Sequence, residues 1–204
     1  MMNAGEQEGT IYIVDDDQAI RHAMGLLMQS VGLKCEIFES ADDFLKDYTN
    51  DRSGCLVLDI RMPGMGGLEL QETLREEECT LPIIFITGHG DIPMAVEAMQ
   101  KGAFDFIQKP FRDQELLDRI QDALKIEREQ RSMREEQSVV REKLDRLTKR
   151  EHEVFDLVVT GKPNKIIAHE LGVSQRTVEI HRARVMEKME ARSLADLVRM
   201  QLTG

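Results

Sequence analysis

Five short apolar runs, separated by amphipathic stretches, constrain how the first half of this 204-residue chain folds. The runs are residues 10–14, 33–38, 55–58, 82–86 and 104–107. They are continuous rather than alternating in polarity, which is typical of parallel strands buried on both faces. Helical patterns lie between them at 18–31, 41–48, 67–78 and 91–101, and a fifth opens near residue 112. This order predicts an α/β doubly wound five-stranded parallel sheet, in which ligands bind at the carboxyl ends of the strands.

The net charge of −11 argues against a nucleic-acid binder only if the charge is evenly spread. Residues 1–111 carry 8 Lys/Arg against 20 Asp/Glu, a net −12; residues 112–147 carry 9 against 10, a net −1; and residues 148–204 carry 10 against 8, a net +2. The acidic residues therefore belong almost wholly to the predicted α/β part, and charge does not exclude nucleic-acid binding by the last part.

The composition indicates a globular chain, since 41% of residues are hydrophobic and 32% are charged. No window approaches the roughly 18 consecutive apolar residues of a membrane span, and the polar residues 1–9 lack the order of a signal peptide. We therefore expect a cytoplasmic protein that does not contact membranes. The three cysteines, Cys35, Cys55 and Cys79, match neither a metal knuckle nor a disulfide framework, and we expect them to be buried.

A long helix is predicted after the α/β part, because neither Gly nor Pro occurs from Asp113 until Gly161 and good helix formers dominate. We assign residues 126–146 to this helical linker. Seven residues spaced alternately by four and three form a heptad seam: Ile126, Gln130, Met133, Gln137, Val140, Leu144 and Leu147. Either a coiled coil or a solvated spacer helix that touches its own domains explains the pattern. Two glutamines in seven core positions would make a coiled coil weak, as suits one formed on demand.

Residues 147–204 read as four short helices. Thr148 and Ser193 are predicted N-caps, residues 161–163 form a break, and residues 171–174 form a tight turn that contains Gly172. Such a turn between the second and third helices is the helix-turn-helix geometry. The predicted core residues are Ile167, Ala168, Leu171, Val173, Val178 and Val185. Periodicity alone leaves open whether this unit binds DNA or another protein.

Acidic side chains follow two strands that are neighbours in a doubly wound sheet. Asp15, Asp16 and Asp17 follow the first strand and Asp59 follows the third, so their carboxylates are expected to converge. Mutual repulsion there favours a hard divalent cation, Mg²⁺ first and Mn²⁺ second. The fourth and fifth strands bring Thr87 and Lys109 to the same edge. A carboxylate nucleophile, a metal, a lysine and a hydroxyl together suit phosphoryl transfer onto an aspartate.

Four segments at these strand ends resemble the signature segments of two-component receiver domains, over about residues 9–125. They are 14–17 (VDDD), 58–64 (LDIRMPG), 86–90 (ITGHG) and 108–111 (QKPF). The resemblance implies that Asp59 is the phosphoacceptor. It implies that Mg²⁺ is held by Asp15, Asp16, Asp59 and the backbone carbonyl of Arg61.

The same resemblance implies the parts of a conformational switch. Thr87 would donate its hydroxyl to the new phosphoryl group, and the rotamer of Phe106 would follow it. Lys109 would form a salt bridge to the phosphate, and its bond to Pro110 is cis in the family. Gly88 would leave space for the phosphoryl group, while Arg61 and His89 would control the access of water. Asp17 has no required role in that pattern.

Two other interpretations fit part of the acidic site. Asp15 and Asp17 also form a DxD pair like that of haloacid-dehalogenase-type phosphatases, but this leaves Asp59 and the last part of the chain unexplained. A pseudo-receiver that signals by binding alone is disfavoured because Asp15, Asp16, Asp59, Thr87 and Lys109 are all present.

The last part of the chain resembles the LuxR-type DNA-binding domain, and residues 177–183 (TVEIHRA) look closest to the FixJ branch of the NarL/FixJ response regulators. That resemblance places Glu179, Ile180 and Ala183 against base edges in the major groove. It makes seven residues candidates for phosphate contacts: Lys165, Ser174, Arg176, Thr177, Arg182, Arg184 and Lys188. Many members have Lys where this chain has Glu179, so a different base preference is expected.

Together the two resemblances imply a transcriptional regulator that phosphorylation activates, not an enzyme acting on other substrates. It would promote only its own Mg²⁺-dependent phosphorylation and dephosphorylation. The implied partners are a sensor histidine kinase, duplex DNA at promoters, RNA polymerase and a second copy of the chain.

Overall fold

The computed structural model describes residues 9–88 and 92–203, and the chain divides into two compact units between Gln130 and Arg131. None of the described helices combines the length and the apolar character that crossing a lipid bilayer requires.

The first unit is built on a five-stranded parallel sheet with strand order β2-β1-β3-β4-β5. The strands are β1 (Thr10–Val14), β2 (Cys35–Phe38), β3 (Gly54–Asp59), β4 (Ile83–Thr87) and β5 (Asp105–Gln108). The predicted fold class is confirmed. The register pairs Val14 with Leu58 and Thr87 with Gln108, so the carboxyl ends of the central strands lie at one edge of the sheet.

Helices cover both faces of this sheet, because each strand sends alternate side chains to opposite sides. The helices are α1 (Gln18–Ser30), α2 (Ala41–Asp47), α3 (Gly67–Glu76), α4 (Ile92–Gln100) and α5 (Asp113–Asp145). One core packs α2, α3 and α4 on the sheet around Phe44, Leu70 and Phe85, and the other packs α1 and the start of α5 around Met28 and Ile120. Cys55 is buried as expected, but Cys35 and Cys79 are only partly buried, so the expectation for those two is corrected.

Helix α5 continues beyond the first unit, as the sequence predicts, but the heptad seam is interrupted near its end. The helix ends at Asp145, and Leu147 lies in the loop beyond it, buried in the core of the second unit. Val140 is also buried, and it lines a groove of about 470 Å³ with Met200 and Thr203. The last part of the seam therefore packs inside its own chain. Ile126 and Met133 remain 37% and 62% exposed.

The second unit contains four further helices, as predicted: α6 (Lys149–Val159), α7 (Asn164–Leu171), α8 (Gln175–Lys188) and α9 (Leu194–Thr203). All six predicted core residues contribute to its core, together with Phe155, Met189 and Leu197. Gly172 ends α7 with a φ of +65°, a left-handed conformation that glycine adopts without steric cost. This glycine allows the tight turn between α7 and α8.

A buried charge pair joins the start of α6 to the end of α8. Thr148 Oγ1 accepts a hydrogen bond from the backbone N–H of Glu151, and Glu151 Oε2 accepts one from the backbone N–H of Thr148, at 3.3 and 2.9 Å. Lys188 Nζ donates to the same Glu151 oxygen at 2.6 Å and to the carbonyl of Arg146 at 3.0 Å. The hydrogen bond from Lys188 holds the pKa of Glu151 at about 2, below its ordinary 4.5. The N-cap at Thr148 thus also anchors α8.

We predict that Glu151→Gln lowers the free energy of unfolding of the second unit by roughly 1–3 kcal/mol at neutral pH, because it removes a buried charge-assisted hydrogen bond. Since the folded pKa lies below the unfolded one, the contribution of Glu151 is full above about pH 4.5 and is lost as the pH falls toward about 2. Chemical denaturation followed by amide signals of α6 and α8 measures the difference at several pH values. Glu153→Gln, which removes only a surface pair with Arg150, is the control and should change stability by less than about 0.5 kcal/mol.

Candidate functional site

Three carboxylates meet at the carboxyl edge of the sheet, where the sequence places them. Asp15 follows β1 directly, Asp16 follows Asp15, and Asp59 is the last residue of β3. One oxygen from each of the three lies within 4.8 Å of the others. Asp15 is almost fully buried, Asp59 is half-buried and Asp16 is exposed. The cluster therefore opens to solvent on the side of Asp16.

Lys109 bridges two of these acids. Its Nζ donates hydrogen bonds to Asp15 Oδ2 at 2.9 Å and to Asp59 Oδ2 at 2.8 Å. The backbone N–H of Lys109 donates to the carbonyl of Thr87 at 2.7 Å, which fixes the end of β5 beside the end of β4. The bond from Lys109 to Pro110 is cis. The ammonium lies between the two carboxylates and neutralises part of their repulsion.

The remaining oxygens of the two bridged acids accept backbone hydrogen bonds. Asp15 Oδ1 accepts from the N–H of Asp17 at 2.8 Å, and Asp59 Oδ1 accepts from the N–H of Arg61 at 3.2 Å. Arg21 on α1 donates to the carbonyl of Asp15 at 2.8 Å. Sequence reasoning missed Arg21, because a single arginine on an amphipathic helix carries no signal for this contact. These bonds fix the orientation of both carboxylates.

Burial and hydrogen bonding set the charges of the site. Burial raises the pKa of Asp15, and the hydrogen bonds that it accepts from Lys109 and Asp17 offset only part of this rise. For Lys109, burial lowers the pKa, but the hydrogen bonds that it donates to Asp59 and Asp15 more than offset this, so its pKa lies above the ordinary value. Lys109 is therefore a permanent cation in the site at neutral pH.

Thr87 is the last residue of β4 and Gly88 follows it, whereas Phe106 is the second residue of β5. Thr87 is buried, and its hydroxyl makes a long hydrogen bond of 3.3 Å to the carbonyl of Gly88. Phe106 is 42% exposed although it is a large aromatic side chain in a strand. Val96 and Met99 on α4 are similarly exposed, at 49% and 39%. The predicted water-access role of His89 falls outside the described residues.

Asp17 has a structural role that the sequence pattern did not assign. Its carboxylate caps α1 by accepting hydrogen bonds from the backbone N–H groups of Ala19 and Ile20, at 2.7 and 3.4 Å. Gly67 is a second missed residue, since a Cβ there would lie 2.3 Å from the carbonyl oxygen of Asp59. Only glycine allows the first turn of α3 to approach the end of β3 so closely.

The donor set fits a hard divalent cation. Three carboxylates and a backbone carbonyl are oxygen ligands of the kind that Mg²⁺ prefers, and Mg²⁺ completes its shell with water. Asp16 gives the exposed side on which such waters would lie. One ammonium against three carboxylates also leaves the site with excess negative charge.

The second unit presents an exposed face on α8. Glu179 and Ala183 are exposed. Ile180 is 48% exposed although its side chain is large and apolar. The three positions share one side of the helix, since residues three and four apart are neighbours. Ser174 caps α8 by accepting from the N–H of Thr177 at 3.1 Å.

The five basic side chains among the seven candidate phosphate contacts fall into two groups. Lys165, Arg176 and Arg184 are exposed. Arg182 donates to Asn164 Oδ1 at 3.0 Å, and the ammonium of Lys188 is engaged with Glu151 and Arg146. Lys188 therefore stabilises the unit from within, and its contact with phosphate stays a prediction.

A parallel sheet with an acid and lysine cluster at its edge, joined to a helix-turn-helix unit, defines a class of protein: a receiver linked to a DNA-binding domain. Residues 11–121 match the family of response regulator receiver domains, and residues 145–201 match the luxR family of bacterial regulatory proteins.

Individual relatives match along nearly the whole chain. The response regulator protein TodT of Pseudomonas putida is 46% identical over 200 residues, which cover 98% of this chain and 88% of TodT. The transcriptional regulatory protein FixJ of Rhizobium meliloti is 44% identical over 195 residues, 96% of each chain. Among solved structures, that of the response regulator StyR has a TM-score of 0.89 at 45% identity, covering 97% of this chain and 100% of StyR.

The chain belongs to the response regulators that combine a receiver domain with a LuxR-type DNA-binding domain. It is a phosphorylation-dependent regulator of transcription, as the two domain families and the relatives together establish.

We predict that Asp16→Ala and Asp17→Ala affect two different properties of the first unit. Asp17→Ala removes the cap of α1 and should lower the free energy of unfolding of the first unit by roughly 0.5–2 kcal/mol, whereas Asp17→Ser should retain most of it. Asp16→Ala should leave the stability without metal nearly unchanged but abolish any rise in Tm on adding Mg²⁺. Thermal unfolding with EDTA and with excess Mg²⁺ measures both effects. If Asp17→Ala loses the Mg²⁺ response and Asp16→Ala keeps it, the assignment of Asp16 as a metal ligand is wrong.

Proposed function

We propose that Asp59 accepts the phosphoryl group from a sensor histidine kinase. The observation that carries this proposal is the bridge from Lys109 to Asp15 and Asp59 at the strand edge. The side chain of Asp59 is 12% exposed, against 1% for Asp15, so Asp59 presents its carboxylate to an incoming donor. A carboxylate oxygen of Asp59 attacks phosphorus, the phosphorus–nitrogen bond to the donor histidine breaks, and its electron pair stays on the imidazole nitrogen.

We assign Asp15, Asp16, Asp59 and the carbonyl oxygen of Arg61 as ligands of Mg²⁺, with Mn²⁺ as a substitute. When bound, the ion supplies positive charge to the phosphoryl oxygens during transfer. Lys109 supplies further positive charge to the same step. Its ammonium lies 2.8 Å from Asp59, and its raised pKa keeps it charged at neutral pH. The chain thereby promotes its own phosphorylation and dephosphorylation.

A groove beside Lys109 is the place at which we propose that the kinase docks. Its volume is about 520 Å³, and it is lined mainly by apolar residues of α1 and of the segment after β5, among them Ile20, Met24, Leu27 and Phe111. Because Lys109 also lines the groove, a protein that fills it would hold its phosphohistidine close to Asp59.

We predict that Asp59→Asn abolishes phosphorylation by acetyl phosphate or by a kinase phosphohistidine, because an amide is a poor nucleophile for phosphorus. Mass spectrometry or separation on a phosphate-affinity gel measures the modification in the presence of Mg²⁺. Asp47→Asn, a surface acid outside the site, is the control and should be labelled like the parent. Labelling that persists in Asp59→Asn but disappears in Asp15→Asn, with steady turnover of phosphomonoesters, would contradict the assignment.

The phosphoryl group is proposed to shift the receiver between two states through Thr87 and Phe106. Thr87 exchanges its long hydrogen bond to Gly88 for one to the phosphoryl group, and Phe106 changes rotamer beside it. Moving an equilibrium from 1:99 to 99:1 requires about 5.5 kcal/mol. A charge-assisted hydrogen bond from Thr87 supplies roughly 1.5–3 kcal/mol of this, so contacts of Lys109 and of a dimer interface supply the rest.

We propose that the output is a homodimer formed through the surface of α4 and α5. Val96, Met99 and Phe106 lie on α4 and β5 and are unusually exposed for apolar side chains, which supports an interface there. A twofold-symmetric dimer brings two DNA-binding units to one site, so the second contact becomes intramolecular.

We predict that Thr87→Ala is phosphorylated at Asp59 but loses at least half of the phosphorylation-induced increase in DNA affinity, measured as a ratio of dissociation constants. Thr87→Ser keeps the hydroxyl and should retain most of the increase. Fluorescence anisotropy with a labelled operator, with and without acetyl phosphate, gives the ratio for each variant. An undiminished ratio in Thr87→Ala would mean that the signal does not pass through this hydroxyl.

The DNA-binding unit is proposed to place α8 in the major groove of promoter DNA. Glu179, Ile180 and Ala183 face base edges, and Glu179 accepts a hydrogen bond from cytosine N4. The phosphate contacts are assigned to Lys165, Ser174, Arg176, Thr177, Arg182, Arg184 and Lys188. On DNA the dimer would recruit RNA polymerase, and because promoters lie in the cytoplasm of bacteria we place the protein there.

We predict that Glu179→Lys changes which base is preferred in the operator, by about 1–3 kcal/mol at that position. Arg184→Ala should instead weaken binding to all operator sequences alike. It should also reduce the slope of the logarithm of the binding constant against the logarithm of the salt concentration by about one. Binding of the phosphorylated protein to a set of single-base operator variants at several salt concentrations separates the two effects. An unchanged rank order of operators in Glu179→Lys would show that α8 does not lie in the groove as proposed.

A further inference from the structure

The middle of α5 carries an exposed heptad stripe that the proposed function does not use. We call residues 126–137 the linker stripe. Ile126 and Met133 in it are 37% and 62% exposed, and Gln130 and Gln137, each four residues further along, are exposed as well. Counted as a heptad, Ile126 and Met133 occupy d positions and the two glutamines occupy a positions. An apolar stripe with this spacing on a helix matches the seam of a two-stranded coiled coil.

The structure limits the stripe at both ends. Before it, Ala123 and Leu124 are buried in the core of the first unit. After it, Val140 is buried, and Lys143 forms an ion pair with Glu190 at 2.8 Å. The seam is therefore available to a partner only over about two heptads.

Charges beside the stripe indicate which partner fits and in which orientation. The g positions are Glu129 and Glu136, and the e positions of the following heptads are Arg134 and Arg141. In a parallel pair of identical helices, each g residue faces the e residue of the next heptad on the other helix. Both facing pairs then have opposite charges. In an antiparallel pair, g faces g and e faces e, which would place Glu against Glu and Arg against Arg.

None of these four charged residues forms an ion pair in the part of the chain that the structure describes. Glu129, Glu136 and Arg141 are exposed and Arg134 is half-buried. Glu136 also borders the groove against α9, yet its side chain remains exposed. All four are thus available to a second copy of the same helix.

We propose that the linker stripes of two copies form a short parallel coiled coil in the phosphorylated dimer. Glu129 of each copy pairs with Arg134 of the other, and Glu136 pairs with Arg141. The inference rests on the phosphorylation-promoted dimer proposed above and adds a second contact to it. Two heptads with glutamine at both a positions are too weak to associate alone, so the coil forms only when the receivers have brought the helices together.

Charge reversal tests this pairing without removing an apolar residue. The acidic variant combines Arg134→Glu with Arg141→Glu, and the basic variant combines Glu129→Arg with Glu136→Arg. In a parallel coil, every facing pair carries like charges in a homodimer of either variant. In a one-to-one mixture of the two variants, every facing pair in a heterodimer carries opposite charges.

We expect the phosphorylated acidic and basic variants each to dimerise at least about tenfold more weakly than the parent at low salt, a difference of about 1.4 kcal/mol. The mixture should recover parent-like dimerisation as heterodimers, which a fluorescent label on one variant identifies during sedimentation. Recovery on mixing also shows that both variants are folded. The control, Glu135→Arg with Glu142→Arg, reverses two charges at the outer f positions and should dimerise like the parent.

The outcomes separate this inference from the dimer itself. If the phosphorylated parent stays monomeric, the proposed dimer is wrong and the coil falls with it. If the parent dimerises and both variants dimerise equally well, the dimer stands and the coil is wrong. Variants that are weakened but do not recover on mixing would overturn the parallel pairing of e and g positions.

Discussion

The two hydrogen bonds that Lys109 donates to Asp15 and Asp59 hold the acidic site at the sheet edge together. Parallel strands place three carboxylates within 4.8 Å of one another, an arrangement that like-charge repulsion opposes. Lys109 offsets part of this repulsion, and its backbone ties the end of β5 to β4. One ammonium does not balance three acids, so the site keeps its attraction for a divalent cation while its geometry stays fixed. In the phosphoryl transfer that we propose, the same ammonium would meet the phosphoryl oxygens on Asp59.

The second unit uses its charges in two different ways. Glu151 and Lys188 are joined inside the unit, where they fix α6 and α8 relative to each other. Lys165, Arg176 and Arg184 remain exposed beside the face formed by α8. Because the unit carries only a net +2, the affinity of one copy for DNA is expected to be modest. In the dimer that we propose, joining two copies on one operator would raise the affinity and would link it to the state of the receiver.

Much of the fold could be predicted because parallel strands and their order leave a direct pattern in the sequence. Five continuous apolar runs predicted the sheet, and the residues that follow them predicted that Asp15, Asp59 and Lys109 would meet. The turn at Gly172 and the cap at Thr148 could also be predicted, because each depends only on residues close together in the chain.

The features that the sequence did not reveal depend on contacts between distant segments. The receiver pattern assigns Asp17 no role, although Asp17 caps α1, because an N-cap inside an acidic run does not stand out in the sequence. The sequence also did not show that the ammonium of Lys188 meets Glu151, 37 residues away. The heptad spacing likewise did not show that Val140 and Leu147 pack inside the second unit, since periodicity identifies an apolar face but not what covers it.

The most direct test compares the affinity of one operator for the full chain before and after phosphorylation of Asp59, at fixed Mg²⁺ and salt, with Asp59→Asn measured in parallel. Coupling of the receiver to the DNA-binding unit predicts an increase of at least about tenfold on phosphorylation, equivalent to about 1.4 kcal/mol, and no increase in Asp59→Asn. Equal affinities before and after complete phosphorylation of the parent, or the same increase in Asp59→Asn, would contradict the claim that phosphorylation of Asp59 controls DNA binding.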